Sequence, residues 1–352
     1  RYINLKNIDI LKSPNGNYIF KLTWLQKKIL KLKPQNIWLV NAHEDSIAIA
    51  AVQKEDSYQV RFLHHADDKL CLGSSIKHFI HYDTNPNCFY RCRKFNKFKS
   101  NIYLPLTALD YGKSNYSKKI PNEGIVSCTI AAFNKLEVTY FINYKDIVHK
   151  IIKASKGKHI HVGKLNLINL LIIRFNLFIN NIEQKRFVYY SYTSNVWKFF
   201  LENKVNVFIG SFPYGAGKTT VMAMGAGLTL ILHRHISERI MGGVDLGPSD
   251  VLQWTDPRDL FQILSILDEN LLKKYSKSSR NHYQRLYSFK KFKRFLYSKN
   301  NDLPLLNKFE KVVIETKVNF VNIYLGKLIN KLRGLIWYNY RIIKNIFSMY
   351  FS

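Results

Sequence analysis

Residues 205–232, VNVFIGSFPYGAGKTTVMAMGAGLTLIL, constrain the fold more than any other stretch. Val205, Val207, Phe208 and Ile209 make the apolar run that a parallel strand buried on both faces requires. Residues 211–217 form a turn of mostly small residues, broken by Pro213, Gly215 and Gly217. Thr219 or Thr220 can cap a helix running through Val221, Met222 and Met224, and Gly225 and Gly227 end it. Residues 228–232 read as the next strand. Such a βαβ unit has a ready anion site where its turn meets the helix. Glycines let backbone N–H groups approach closely, and the helix dipole favours negative charge. A phosphate-bearing ligand is expected at Gly215, Gly217, Lys218, Thr219 and Thr220.

Gly217-Lys218-Thr219 also looks like the end of a Walker A loop, which needs a glycine five residues before Gly217. Phe212 stands there, and Gly210 is out of register. Pro213 and Tyr214 occupy the part that must wrap a phosphate. No convincing apolar strand ending in a magnesium-binding Asp follows. A P-loop NTPase is therefore a minor alternative.

Strands alternate with helices before this unit. Tyr18–Leu32 reads as an amphipathic helix, 37–40 as a strand, 46–52 as a helix, and 60–63 and 79–81 as strands. Such alternation implies parallel, doubly wound sheets, which bind ligands outside the carboxyl ends of their strands. His43, His65 and Asp67 fall at such ends. Residues 111–124, polar and carrying Gly112, Pro121 and Gly124, read as an interdomain linker. A second α/β run follows, with strands at 126–131, 159–162 and 186–190 and helices at 144–153, 165–179 and 194–201. The expected domains are 1–115, 116–270 and a basic helical extension, 271–352. The fold class is α/β, two Rossmann-like domains facing a cleft.

A chain of 352 residues suits two domains, and 47% hydrophobic and 14% aromatic residues argue for a folded protein. Lys and Arg number 54 against 24 Asp and Glu, a formal charge of +30 that invites acidic partners. Abundant Lys, Ile, Asn, Tyr and Phe are also what AT-rich coding produces. Cys71, Cys88, Cys92 and Cys128 are too few for a disulfide scaffold, so a reduced cytoplasm fits. Cys88 and Cys92 with His78 and His81 suggest zinc, but the spacing matches no common finger, and no metal is expected. No apolar run spans a bilayer and no signal peptide is visible. Arg1 suggests that the true start lies upstream.

Four stretches carry a resemblance: Phe62-Leu63-His64-His65-Ala66-Asp67, Phe133-Asn134-Lys135-Leu136, Lys158-His159-Ile160-His161-Val162-Gly163, and 209–227 with its Ser-Phe-Pro turn. In order and spacing they are similar to inverting, metal-independent GT-B glycosyltransferases of bacteria. The nearest groups are the protein O-GlcNAc transferases and the adhesin glucosyltransferases. The resemblance covers about residues 35–265. It implies a nucleotide-sugar donor, usually a UDP-sugar, on the C-terminal domain. Gly215, Gly217, Lys218, Thr219 and Thr220 match the diphosphate turn, and Lys135 matches a cation on the phosphates. It implies an acceptor (glycan, lipid-linked or protein) on the N-terminal domain. There His65 is the candidate general base and Asp67 its orienting carboxylate, because imidazole takes a hydroxyl proton near neutral pH.

Two departures stand out. Met222 occupies a usually acidic, ribose-binding position, and the N-terminal domain is short. Both leave open a catalytically inactive relic of the fold that binds a membrane or nucleic acid. Residues 273–299 and 318–351 mix Lys and Arg with aromatic and aliphatic residues. They read either as helices closing the fold or as helices lying on the anionic inner face of the cytoplasmic membrane, which would suit a cell-envelope acceptor. Nucleic acid is not expected, since no helix-turn-helix, RRM or finger pattern is present.

Overall fold

A computed structural model describes residues 8–297 apart from 53–56, 66–70, 95–96, 99–100, 116–118, 123, 139 and 236–240. Residues 318–351, one of the two basic stretches, lie outside the described residues.

The N-terminal domain runs α1 (Tyr18–Leu32), β1 (Asn36–Leu39), α2 (Ser46–Ala51), β2 (Gln59–His64), β3 (Ile80–Asp83), α3 (Pro86–Lys94) and β4 (Ile102–Tyr103). Its strands pair in parallel in the order β1-β2-β3-β4. Alternation sorts the side chains by face. Ile37, Leu39, Val60 and Phe62 pack with Ile29, Ala48 and Ile49 of α1 and α2. Leu63, Ile80, Tyr82 and Ile102 turn the other way. The helix α3 has no counterpart among the sequence expectations, although its start signals are plain. The Asn85 carboxamide accepts the Cys88 N–H at 2.6 Å, and proline occupies the first helical position.

The C-terminal domain runs β5 (Val126–Ile130), α4 (Phe133–Leu136), α5 (Tyr144–Ser155), β6 (Lys158–Val162), α6 (Leu167–Ile179), β7 (Phe187–Tyr190), α7 (Val196–Glu202), β8 (Val207–Ile209), α8 (Gly217–Gly225), β9 (Thr229–His233), β10 (Leu252–Trp254), α9 (Pro257–Ile266) and α10 (Glu269–His282). Six parallel strands take the order β10-β9-β8-β5-β6-β7. Every residue of β8 and β9 is buried, as helices on both faces demand. The strand order reverses between β5 and β8, and a crevice opens outside their carboxyl ends at such a point.

Beyond α10 the chain returns to the N-terminal domain. The Tyr283 hydroxyl donates to the Ala108 carbonyl at 2.8 Å, and the Thr107 hydroxyl to the Tyr287 carbonyl at 2.8 Å. Helix α11 (Phe289–Tyr297) then lays Phe292, Phe295 and Leu296 on the second face of the N-terminal sheet. Over its described part, the basic C-terminal stretch thus packs against both domains. Among the described residues, no helix is long and apolar enough to cross a membrane.

Candidate functional site

The turn after β8 divides into a buried front and an open back. The Ser211 hydroxyl donates to the Tyr214 carbonyl at 2.8 Å. Phe212, joined to Pro213 by a cis peptide bond, is fully buried, with its ring 4.9 Å from Trp254 and 5.6 Å from His233. Phe212 thus fills the core where a P-loop would wrap a phosphate.

The back half opens α8. Its N-cap is Ala216, which offers no side-chain acceptor, so the amides of Gly217, Lys218 and Thr219 receive no cap from their own helix. Lys218 is exposed and Thr219 half-buried. Thr220 is different from the expectation. It is buried, and both its amide and its hydroxyl donate to the Ala216 carbonyl, so it braces the turn from behind.

Lys135 reaches this turn from the other side of the strand-order reversal. It sits in α4, after β5, and its ammonium donates to the Gly215 carbonyl at 3.0 Å. The two expected halves of a phosphate site therefore meet. Met222 is half-buried and packs against the domain core.

Two residues that the sequence reading missed stand at the carboxyl end of β9 and beside it. The His233 Nδ1 lies 3.1 Å from the Trp254 carbonyl, which can only accept, so Nδ1 carries the proton. Nε2 is then the acceptor for the Tyr140 hydroxyl at 2.8 Å. Burial, then His235, pushes the His233 imidazole down to about 3, so it is neutral at physiological pH. Its position at a strand end was the available signal.

The N-terminal domain meets this site through its own strand ends. Leu106, beyond β4, lies so close that a Cβ on Gly217 would come within 3.1 Å of its Cδ1. The Asn87 amide of α3 donates to Asp245, on the 3-10 helix Met241–Leu246, at 3.1 Å. His65 follows β2 at the same end of the sheet. It is exposed, 6.4 Å from the His43 ring, with Nδ1 3.4 Å from the Leu63 carbonyl, which leaves Nε2 to accept a proton. Asp67, its expected partner, lies outside the described residues. A cavity of about 710 Å³ opens on the N-terminal domain, lined chiefly by Trp38, Arg61, Leu63, Leu104, Leu106 and Phe292.

No family model matches the sequence, and no curated protein matches it. Solved structures do match. The chain is similar to a glycosyltransferase from Rickettsia africae, with a TM-score of 0.60, 11% identity, and coverage of 83% of this chain and 85% of that one. It is similar to the lipopolysaccharide outer core galactosyltransferase WaaB in its apo form, with a TM-score of 0.56, 13% identity, and 80% of each chain covered. It is also similar to Anabaena Alr3699/HepE in complex with UDP and glucose, with a TM-score of 0.55, 11% identity, and coverage of 78% and 80%. The fold is that of the GT-B glycosyltransferases.

Proposed function

We propose that this chain moves a sugar from a nucleotide-sugar, most simply a UDP-sugar, to an acceptor hydroxyl, with inversion and without a metal at the donor site. One observation carries the reading. The uncapped start of α8 and the Lys135 ammonium converge on Gly215 at the strand-order reversal. The leaving diphosphate gains charge as the glycosidic bond breaks. Helix-end amides of Gly217, Lys218 and Thr219 and the two ammonium groups are placed to meet it. That similar folds were solved with UDP and with UDP-glucose supports the same donor class. The narrower likeness to the O-GlcNAc transferase and adhesin glucosyltransferase group rests on the four sequence stretches.

In this reading the acceptor binds on the N-terminal domain and attacks the anomeric carbon from the face opposite the diphosphate. His65 Nε2 takes the hydroxyl proton, and Asp67 orients the ring. The enzyme works at the inner face of the cytoplasmic membrane. Besides the basic composition, α6 supports this placement, because Leu167, Ile168, Leu171, Phe175 and Phe178 are all exposed on it. Co-sedimentation with anionic vesicles tests the placement, which fails if the protein stays in solution.

Calorimetry with UDP, GDP and their sugars tests the central claim. UDP binding that weakens in Lys135→Ala and Lys218→Ala supports it. No binding of any nucleotide would overturn it in favour of an inactive relic, for which Met222 is the sequence argument.

A further inference from the structure

Away from the donor site, the carboxyl ends of β2 and β3 and one face of α3 bring four metal-ligating side chains together. One ligand atom from each of His64, Asp83, Cys88 and Cys92 lies within 4.8 Å of the others. All four residues are buried, Asp83 and Cys88 completely. The His64 Nδ1 is 2.9 Å from the Cys88 Sγ, 3.2 Å from the Cys92 Sγ and 3.0 Å from the Asp83 Oδ1. Each sulfur is 3.4 Å from that same carboxylate oxygen.

Hydrogen bonding alone does not account for this crowding. A single ring nitrogen has one proton or one lone pair, so it completes one hydrogen bond, not three. A protonated His64 would give the Asp83 carboxylate a counter-charge across their 3.0 Å contact, but its one Nδ1 proton could not also hold the two sulfurs. A cation at the centre satisfies all four groups at once. Around a tetrahedral zinc with bonds of ~2.0–2.3 Å, ligand atoms stand ~3.3–3.8 Å apart. Five of the six separations, at 2.9–3.4 Å, fall at or just under that range and the Cys88–Cys92 pair lies within 4.8 Å, so small side-chain rotations bring the set to tetrahedral spacing.

We propose that His64, Asp83, Cys88 and Cys92 bind one structural zinc ion. Two thiolates and an imidazole select zinc over magnesium or calcium, which prefer oxygen. Four protein ligands close the coordination sphere, which marks a structural site rather than a catalytic one. Cys88 and Cys92, four residues apart, share a face of α3. The Asn101 carboxamide donates to Asp83 Oδ2 at 2.6 Å and in turn accepts from Arg93 Nε at 2.8 Å. Asp83 thus keeps Oδ1 turned to the centre, the usual outer support of a metal ligand. His78 and His81, the histidines that the sequence sets beside Cys88 and Cys92, are elsewhere. His78 is exposed, and His81 turns Nε2 to the Ile76 carbonyl at 3.1 Å.

The ion would tie β2, β3 and α3 together at the carboxyl end of the N-terminal sheet. It would also fix the helix whose Asn87 amide meets Asp245 of the other domain. Because His64 faces the ion, its neighbour His65 is held facing outward.

The test is elemental analysis of the full chain, with cobalt substitution. The protein is expected to carry one zinc per chain, lost in C88S/C92S and kept in Cys128→Ser. Serine variants can fail to fold, so wild-type protein stripped by chelator and loaded with cobalt decides independently. Thiolate-to-cobalt charge-transfer bands with the intense visible bands of a tetrahedral ion are expected. Cobalt uptake without a thiolate band, no metal uptake at all, or zinc retained by C88S/C92S would each overturn the proposal. UDP binding measured on the same samples reports the donor site separately.

Discussion

The Lys135 ammonium, on the turn after β5, lies 3.0 Å from the carbonyl oxygen of Gly215, on the turn after β8. It spans the point where the strand order reverses. A phosphate oxygen is a stronger partner for an ammonium than a neutral carbonyl. Lys135→Met is therefore expected to weaken UDP binding about tenfold or more, ~1.4 kcal/mol, with stability lowered by no more than about 0.5–1.5 kcal/mol for the lost Gly215 bond. Lys218→Ala acts in the same direction but less, because Lys218 is exposed and its charge is screened. Thr220→Val should leave UDP affinity intact and cost about 0.5–1.5 kcal/mol of stability, because its hydroxyl braces Ala216. Calorimetry and thermal melts on the three variants check this ranking. If Thr220→Val weakens UDP as much as Lys135→Met, the assignment of the two faces of the turn fails.

His65 offers a different readout. A general base contributes roughly 10²–10⁴-fold to the chemical step. His65→Gln should lower turnover by that order once a cell-envelope extract supplies the acceptor for labelled donor, while UDP affinity stays as in the wild type. Loss of UDP binding instead would make His65 part of the donor site.

Gly225 ends α8 against the indole of Trp197. A Cβ at this position would overlap the ring. The ring cannot retreat, because it is fully buried, lies edge-on to Tyr283 at 5.2 Å, and donates its N–H to the Gly112 carbonyl at 2.8 Å. Gly225→Ala is expected to destabilise the protein by about 1–3 kcal/mol, the usual penalty of overpacking. Urea unfolding measures it, and a midpoint equal to the wild type would contradict the tight contact.

How much of this was readable in the sequence follows from the periodicity of each part. Helix α1 lies where its amphipathic pattern put it, and β8 and β9 lie within two residues of their expected positions, because buried parallel strands are local signals; α8 instead starts at Gly217 on an Ala216 N-cap, three or more residues before the start that a Thr219 or Thr220 cap implied. Lys135 and Gly215 were both nominated, yet their contact spans 80 positions and only the strand order creates it. The burial of Thr220 was not legible, because a helix-start threonine looks the same in sequence whether it faces solvent or the core. The four-residue spacing of Cys88 and Cys92 is a local signal, and His64 carries none. It closes a strand 24 residues before Cys88 rather than standing at a finger-like interval.

Acid sensitivity is the last expectation. Burial, then the neighbouring His161, lowers His159 to about 3, and burial lowers His161 to about 4. Burial, then His235, lowers His233 to about 3. All three lie below the ordinary value of about 6.5, which they regain on unfolding. Between those values the unfolded chain binds more protons, so stability rises with pH there and is lost as pH falls from about 6.5 toward 3. At about pH 5 each such histidine removes on the order of 2 kcal/mol. His233→Gln keeps a donor for the Trp254 carbonyl and an acceptor for Tyr140 but cannot titrate. It should be less stable than the wild type at about pH 7.5, yet lose less between about pH 7.5 and 5 in urea unfolding. Equal losses in the two proteins would show that His233 is not held neutral by its burial.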